Sequence, residues 1–194
     1  MIFDISQEIL SSKVYPGDPA PQKQVMSRME DGALYNLTAF SMCAHNGTHV
    51  DAPYHFLKDG KTIEQMTLDA FVGDCYVACH EGDITSADAL YILEKARNVG
   101  AGERILIAGE ATVTAEAARE FAGAQIKLIG NESQTVGPEN APMEVHKILL
   151  GEEIVLLEGI VLTDVPEGKY MLSAAPLNQA GFDGAPCRAI LISE

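Results

Sequence analysis

Short apolar runs separated by Gly, Pro, Asp and Asn recur along the chain, and helical periodicity interrupts them in only three places. Alternating or continuous apolar character predicts strands over residues 2–6, 35–42, 71–79, 104–108, 126–129, 154–157, 170–173 and 187–193. A helix is predicted over 86–98: Thr85 precedes it, Asp88 stands where a capping box needs an acceptor, and Gly100 lies just past its end. Thr114 opens a second helix over 115–122, and a third runs over about 141–150 beside Pro138 and Pro142. No repeat and no Pro-, Gly- or Ser-rich linker divides these elements. The expected architecture is therefore α/β, one strand-rich domain spanning residues 1–194.

Composition narrows the function classes. A chain of 194 residues can bury about 70% of its unfolded surface and so hold a site rigidly. The formal charge of −15, with only 13 Lys and Arg in scattered positions, excludes a nucleic-acid partner and disfavours an anionic membrane. No apolar stretch reaches membrane-spanning length, and the opening Met-Ile-Phe-Asp carries a charge by its fourth residue, so a cytoplasmic location is expected. Cys43, Cys75, Cys79 and Cys187 show no disulfide-framework spacing. Cys75, Val77 and Cys79 alternate before His80, a pattern read as packing on a buried strand rather than a second metal site.

The densest chemistry lies in Cys-Ala-His-Asn-Gly-Thr-His-Val-Asp-Ala-Pro-Tyr-His-Phe, residues 43–56, which holds three of the five histidines. Imidazole and carboxylate together form the ligand set of zinc, manganese or iron. His45, His49, Asp51 and His55 all occupy odd positions, so an extended chain would send them to one face. Fully extended, however, His45 and His49 would lie about 13 Å apart, near the limit for sharing an ion. The segment must bend, and Gly47 is placed to allow it, while Pro53 blocks a helix. Cys43, with apolar neighbours, is read as packing.

Two distant residues join once a metal is suspected. Met143, His146 and Leu150 share one helical stripe, which turns the imidazole inward. Glu158 ends the run Ile-Val-Leu-Leu-Glu, where a buried carboxylate is costly unless a cation or hydrogen bonds neutralise it. A satisfied core histidine and a strand-end carboxylate are the ordinary alternatives. The loop from Tyr15 to Pro21, containing Pro-Gly-Asp-Pro, is expected to be rigid and to overhang a pocket.

Over nearly its whole length the sequence resembles the metal-dependent hydrolases that include bacterial kynurenine formamidases, isatin hydrolases and cyclase-family proteins. The resemblance is carried by Asp4-Ile5-Ser6, Tyr15-Pro16-Gly17-Asp18-Pro19, His45-x-Gly-Thr-His-x-Asp-Ala-Pro-x-His55-Phe56 and Asp59-Gly60-Lys61-Thr62-Ile63. It continues through His146-Lys147-Ile148-Leu149-Leu150, Leu157-Glu158-Gly159 and Asp183-Gly184-Ala185-Pro186-Cys187-Arg188. It implies a swivelling β/β/α fold assembled as a homodimer or larger homo-oligomer. It further implies that His45, His49 and Asp51 hold one divalent ion, with Asp51 bridging to a second. His146 would complete the second site, Glu158 would serve one or both, and His55 would be the general acid/base. One or two ions per chain are implied, zinc first and manganese next.

The expected activity is hydrolysis of a small-molecule amide, either an arylformamide such as N-formylkynurenine or a cyclic amide. The alternatives are a dehydrating cyclase or lyase acting on a hydroxy acid, and a non-catalytic metal- or ligand-binding protein. No Gly-x-Ser-x-Gly elbow offers a serine nucleophile instead. The chain departs from the family where kynurenine formamidases carry tryptophan before Pro-Gly-Asp: here Tyr15 stands, an aromatic that can still stack on a substrate ring. It departs again at Gly130-Asn131-Glu132-Ser133-Gln134 and in a shorter segment after Ala108. Both changes are expected to reshape the pocket.

Overall fold

Every residue of Arg104–Ala108 is buried, as a strand covered on both faces requires. The computed structural model, which describes residues 1–193, shows what covers it. Its strands are β1 (Ile2–Asp4), β2 (Gln22–Ser27), β3 (Leu37–Ser41), β4 (His49–Asp51), β5 (Val72–Cys79), β6 (Gly82–Ile84) and β7 (Arg104–Ala108). They continue as β8 (Ala111–Val113), β9 (Leu128–Asn131), β10 (Val155–Glu158), β11 (Gly168–Ser173), β12 (Gly184–Pro186) and β13 (Ile190–Ile192). The helices are α1 (Leu68–Phe71), α2 (Ser86–Asn98), α3 (Ala115–Gly123) and α4 (Met143–Gly151).

Nine strands form one mixed sheet in the order β1-β13-β11-β5-β7-β9-β10-β4-β12. The four central strands, β5, β7, β9 and β10, are parallel, and antiparallel neighbours flank them on both sides. Ile105 and Ile107 join Phe121, Leu149 and Leu93 in a core against the helices. Leu106 and Ala108 point the other way, into a second core with Ile5, Val50, Leu157 and Leu191. The sheet curls around that second core. Ile5 N donates to Ala189 O at 3.1 Å while Val161 N donates to Ile5 O at 2.9 Å, so the chain after β1 bridges the run into β13 and the exit of β10.

Local signals agree with these elements. Thr85 and Asp88 make the expected capping box of α2, and Thr114 Oγ1 accepts from Ala117 N at the start of α3. Five strands went unforeseen: β2, β4, β6, β8 and β12. β2 pairs only with β3, and both strands are exposed almost throughout, so no apolar period marks β2. The stretch 187–193, expected as one strand, is a strand only over β13, Ile190–Ile192. Cys79 is exposed rather than buried, and His80 Nε2 meets the Asp83 carbonyl at 3.2 Å. Met143, assigned to the inward stripe of α4, is 55% exposed, whereas Leu150 is fully buried. Among the described residues no helix is long and apolar enough to cross a membrane.

Candidate metal centre

Strand β4 carries the centre because both its neighbours supply part of the wall. Its register sets Glu158 opposite His49 and Leu156 opposite Asp51 on the β10 side, with Pro186 and Gly184 opposite the same two residues on the β12 side. His49 and Asp51, two apart, share a face, as period two demands. The bend anticipated at Gly47 is present: its φ is +64°, which brings His45 back over the strand. Pro53 begins a short 3-10 turn, Pro53–His55, that raises His55 beside the same face. His146 comes from α4, where its ring packs on Phe56 with centroids 4.5 Å apart.

All five residues expected to hold metal therefore converge, with His55 beside them. Asp51 and Glu158 each divide their oxygens between two sides. Asp51 Oδ1 lies 2.8 Å from His45 Nδ1 and 3.5 Å from His49 Nε2, while Oδ2 lies 3.6 Å from His146 Nε2 and 3.9 Å from His55 Nε2. Glu158 Oε2 faces His49 Nε2 at 3.5 Å, and Oε1 faces His146 Nε2 at 3.2 Å. Ligand atoms of His49, Asp51 and Glu158 lie within 4.8 Å of one another, and so do those of His45, Asp51 and His55.

The fit to a cation can be tested on hydrogen bonding. His49 Nδ1 donates to Gly47 O and His146 Nδ1 donates to Pro142 O, each at 2.9 Å, because a carbonyl can only accept. In their neutral forms both rings then turn an Nε2 lone pair towards carboxylates, which are also acceptors. Acceptors facing acceptors need a cation or extra protons between them. Asp51 Oδ2 is buried and has no hydrogen-bond partner at all. Side-chain orientation fixed by a carbonyl on the far nitrogen is also how metal-binding histidines are held. The donor set and the orphaned oxygen both fit a divalent ion.

Electrostatics agree. Burial alone would lower the His146 pKa, but Asp51 and Glu158 outweigh it and push it up to about 10. Burial likewise opposes, and Asp183 and Asp51 reverse, the shift at His45, which rises to about 11. Burial pushes the Asp51 carboxyl up, yet His146 and His45 hold it well below the usual carboxylate range. Without metal the carboxylates can be satisfied only by holding protons on the imidazoles. A divalent ion, if held there, would take the place of those protons.

A cavity of about 420 Å³ opens over the cluster, walled elsewhere by Tyr15, Asp18, Cys43, Phe56, Gln134 and Thr135. Tyr15 stands at the mouth as the overhanging loop requires, with its hydroxyl donating to Glu139 O at 3.0 Å. Cys43 is not packed among apolar neighbours: its thiol lies in the cavity wall, 3.6 Å from Asp18 Oδ2. Glu132 serves the scaffold, accepting from Gly109 N and Leu162 N at 2.8 and 2.7 Å. The altered loop instead reaches the cavity through Gln134 and Thr135, whose buried hydroxyl has no partner. Asp183 is the residue the sequence reading left without a role. Its Oδ2 meets His45 Nε2 at 2.9 Å and His55 Nδ1 at 3.1 Å, and these contacts hold its pKa below the usual range. Its sequence signals are the Asp-Gly turn before β12 and the family-like segment 183–188, neither of which gave it a role.

Comparison with known proteins gives the cluster a lineage. The sequence model of the Cyclase family, described as "Putative cyclase", matches residues 3–138. A kynurenine formamidase of Erythrobacter litoralis (strain HTCC2594) is 34% identical over 98% of this chain and 93% of its own length. A solved structure described as a potential metal-dependent hydrolase with cyclase activity superposes with a TM-score of 0.82 at 28% identity, covering 98% of this chain and 96% of that one. Isatin hydrolase A from Labrenzia aggregata has the same fold, with a TM-score of 0.83 at 21% identity over 100% of this chain and 94% of its own. The family match takes in His45, His49, Asp51 and His55, and the whole-length relative extends over His146 and Glu158 as well. On that match and that coverage, this chain belongs to the Cyclase family of hydrolases, in which kynurenine formamidases are its relatives.

Proposed function

We propose that this protein is a metal-dependent hydrolase of a non-peptide carbon–nitrogen bond, acting on an arylformamide such as N-formylkynurenine or on a cyclic amide. The observation that carries the reading is the division of Asp51 and Glu158, each offering one oxygen to each of two imidazole groups beneath an aromatic-walled cavity. The name of the Erythrobacter litoralis relative supports the first substrate class.

His45, His49, Asp51, His146 and Glu158 would hold one or two ions, with Asp51 shared. Nitrogen and oxygen donors of this kind suit zinc first and manganese next. A divalent ion held there supplies Lewis acidity, polarising a carbonyl and making water acidic enough to attack near neutral pH. His55 stands beside Asp51 Oδ2 and faces the cavity, where its Nε2 takes a proton from the attacking water and returns it to the departing nitrogen. Water adds to the carbonyl carbon, the carbon–nitrogen bond breaks, and the nitrogen leaves as a neutral amine. Tyr15 and Phe56 present ring faces to an aromatic substrate. Assembly as a homodimer or tetramer belongs to the same reading, supported by apolar side chains left exposed on the β2–β3 hairpin, among them Leu34, Tyr35 and Phe40. A cytoplasmic setting, which suits the four free cysteines, completes it.

The test is turnover by metal-reconstituted protein on arylformamides, isatin-type lactams and hydroxy acids, alongside elemental analysis of protein purified without added metal. Hydrolysis of an amide by metal-loaded protein is the expected result. Loss of water from a hydroxy acid, with every amide untouched, replaces the reading with a dehydrating lyase.

A further inference from the structure

Four histidines surround the centre, and their outer nitrogens are held in different ways. His49 and His146 are fixed by backbone carbonyls, the neutral anchors of Gly47 and Pro142. His55 has no such anchor. It rides on a single 3-10 turn, its side chain is 27% exposed, and its recorded hydrogen bond is the one from Nδ1 to Asp183 Oδ2 at 3.1 Å. On its other faces it is held by rings alone: it stacks on His45 with centroids 4.0 Å apart and interplanar angle 29°, and meets Phe56 edge-on at 4.6 Å.

Resting on the hydrolase reading above, we infer that Asp183 is the positioning residue of the reaction, fixing the tautomer and direction of His55. An ionised carboxylate has no proton to give, so the hydrogen in this contact belongs to Nδ1. The lone pair then lies on Nε2, the nitrogen that faces the Asp51 side of the cavity at 3.9 Å. With the hydrogen on the other nitrogen the ring would offer its lone pair to Asp183 and could take no proton from water over the centre. The position of Asp183 is itself enforced. Its carbonyl accepts from Ala52 N at 2.9 Å and that of Phe182 accepts from Ile63 N at 2.9 Å, tying the residue across the turn that carries His55. Gly184 follows, at a place where a Cβ would come within 2.6 Å of His45 Cε1, so the backbone approaches the imidazoles as closely as it can.

The same carboxylate oxygen also meets His45 Nε2 at 2.9 Å, so Asp183 could instead serve only to orient a ligand. The two roles separate experimentally. Asp183→Asn keeps the shape and can donate to Nδ1, which turns the tautomer over. The expected result is a fall in kcat of about 10²- to 10⁴-fold, in the range of other carboxylate–histidine pairs, with KM and bound metal within threefold of the unsubstituted protein. Asp183→Glu, which restores a carboxylate, recovers more activity than Asn.

A second measurement needs no turnover. In protein with ¹⁵N-labelled histidine, the His55 resonances, assigned by their loss in His55→Ala, should report hydrogen on Nδ1 in the unsubstituted protein and on Nε2 in Asp183→Asn. An unchanged tautomer overturns the inference, as does loss of metal in proportion to loss of kcat. If no amide is hydrolysed by the unsubstituted protein, the hydrolase reading fails while the tautomer result still stands or falls by itself.

Discussion

Asp51 and Glu158 are 0% and 3% exposed on paired strands, whereas Leu34 and Phe40, on the β2–β3 hairpin, are 92% and 60% exposed. The inner wall, made of β4, β10 and α4, is fixed by ladder hydrogen bonds, carbonyl anchors and a core on each face of the sheet. The β2–β3 hairpin has only its two-stranded ladder and is exposed along nearly all of both strands. An isolated hairpin of this kind is marginal in water. The groups that could hold an ion sit on this wall, and the exposed ladder lies apart from the residues that line the cavity. The contrast separates a rigid buried site from an exposed surface, and it can be broken from either side.

The largest effect is expected from Asp51→Asn, which removes charge from both sides of the centre. Metal content by elemental analysis should fall close to zero and turnover with it, while full metal retention would deny Asp51 its shared position. Glu158→Gln comes next, with metal affinity weakened by about 10- to 100-fold. For His55→Ala the expectation is a split: bound metal stays near its original level and kcat falls by about 10²- to 10⁴-fold. Parallel loss of both would move His55 into the ligand set with His45 and Asp51.

Gly159→Ala probes how tightly the wall is closed. Gly159 follows Glu158 with φ of +66°, and a Cβ there would lie 2.6 Å from Gly47 O, so two glycines of separate motifs touch. Loss of about 1–3 kcal/mol in denaturant unfolding is expected, with weaker metal retention. The smallest effects are expected away from the wall. Tyr15→Ala should raise KM for an aromatic amide while leaving metal content unchanged, and Phe40→Ser should change monomer stability by no more than about 0.5 kcal/mol. Should Phe40→Ser also halve the mass seen by light scattering, the hairpin is an interface between copies of the chain.

The wall was also the more legible part of the sequence. His45, His49, Asp51 and His55 announce themselves by density and register, and Arg104–Ala108 and Ser86–Asn98 follow from apolar period and capping. The strand β4 itself could not be read, because His-Val-Asp has one apolar residue and its pairing with β10 and β12 depends on segments about a hundred residues away. Asp183 was hidden for the same reason. It lies 128 positions from His55, and only folding of the chain before β12 brings the two together. Cys43 misled because apolar neighbours in sequence say nothing of the cavity its bend faces. β2 left no periodic trace, since nearly all of its residues are exposed.

The order of strands around β4 also sets a timetable. Its two ladder partners are Val155–Glu158 and Gly184–Pro186, and β1 pairs with Ile190–Ile192, so the sheet that holds the centre closes between distant parts of the chain. Such non-local pairings form late, after the entropy of closing long loops has been overcome. During synthesis His45, His49 and Asp51 emerge more than a hundred residues before Glu158 and Asp183, and remain without their partners while α2 and α3 can already form. Capture of an ion by the full donor set would therefore wait for Glu158 to join β4, which would make loading a property of the paired strands rather than of the motif that first betrays the site.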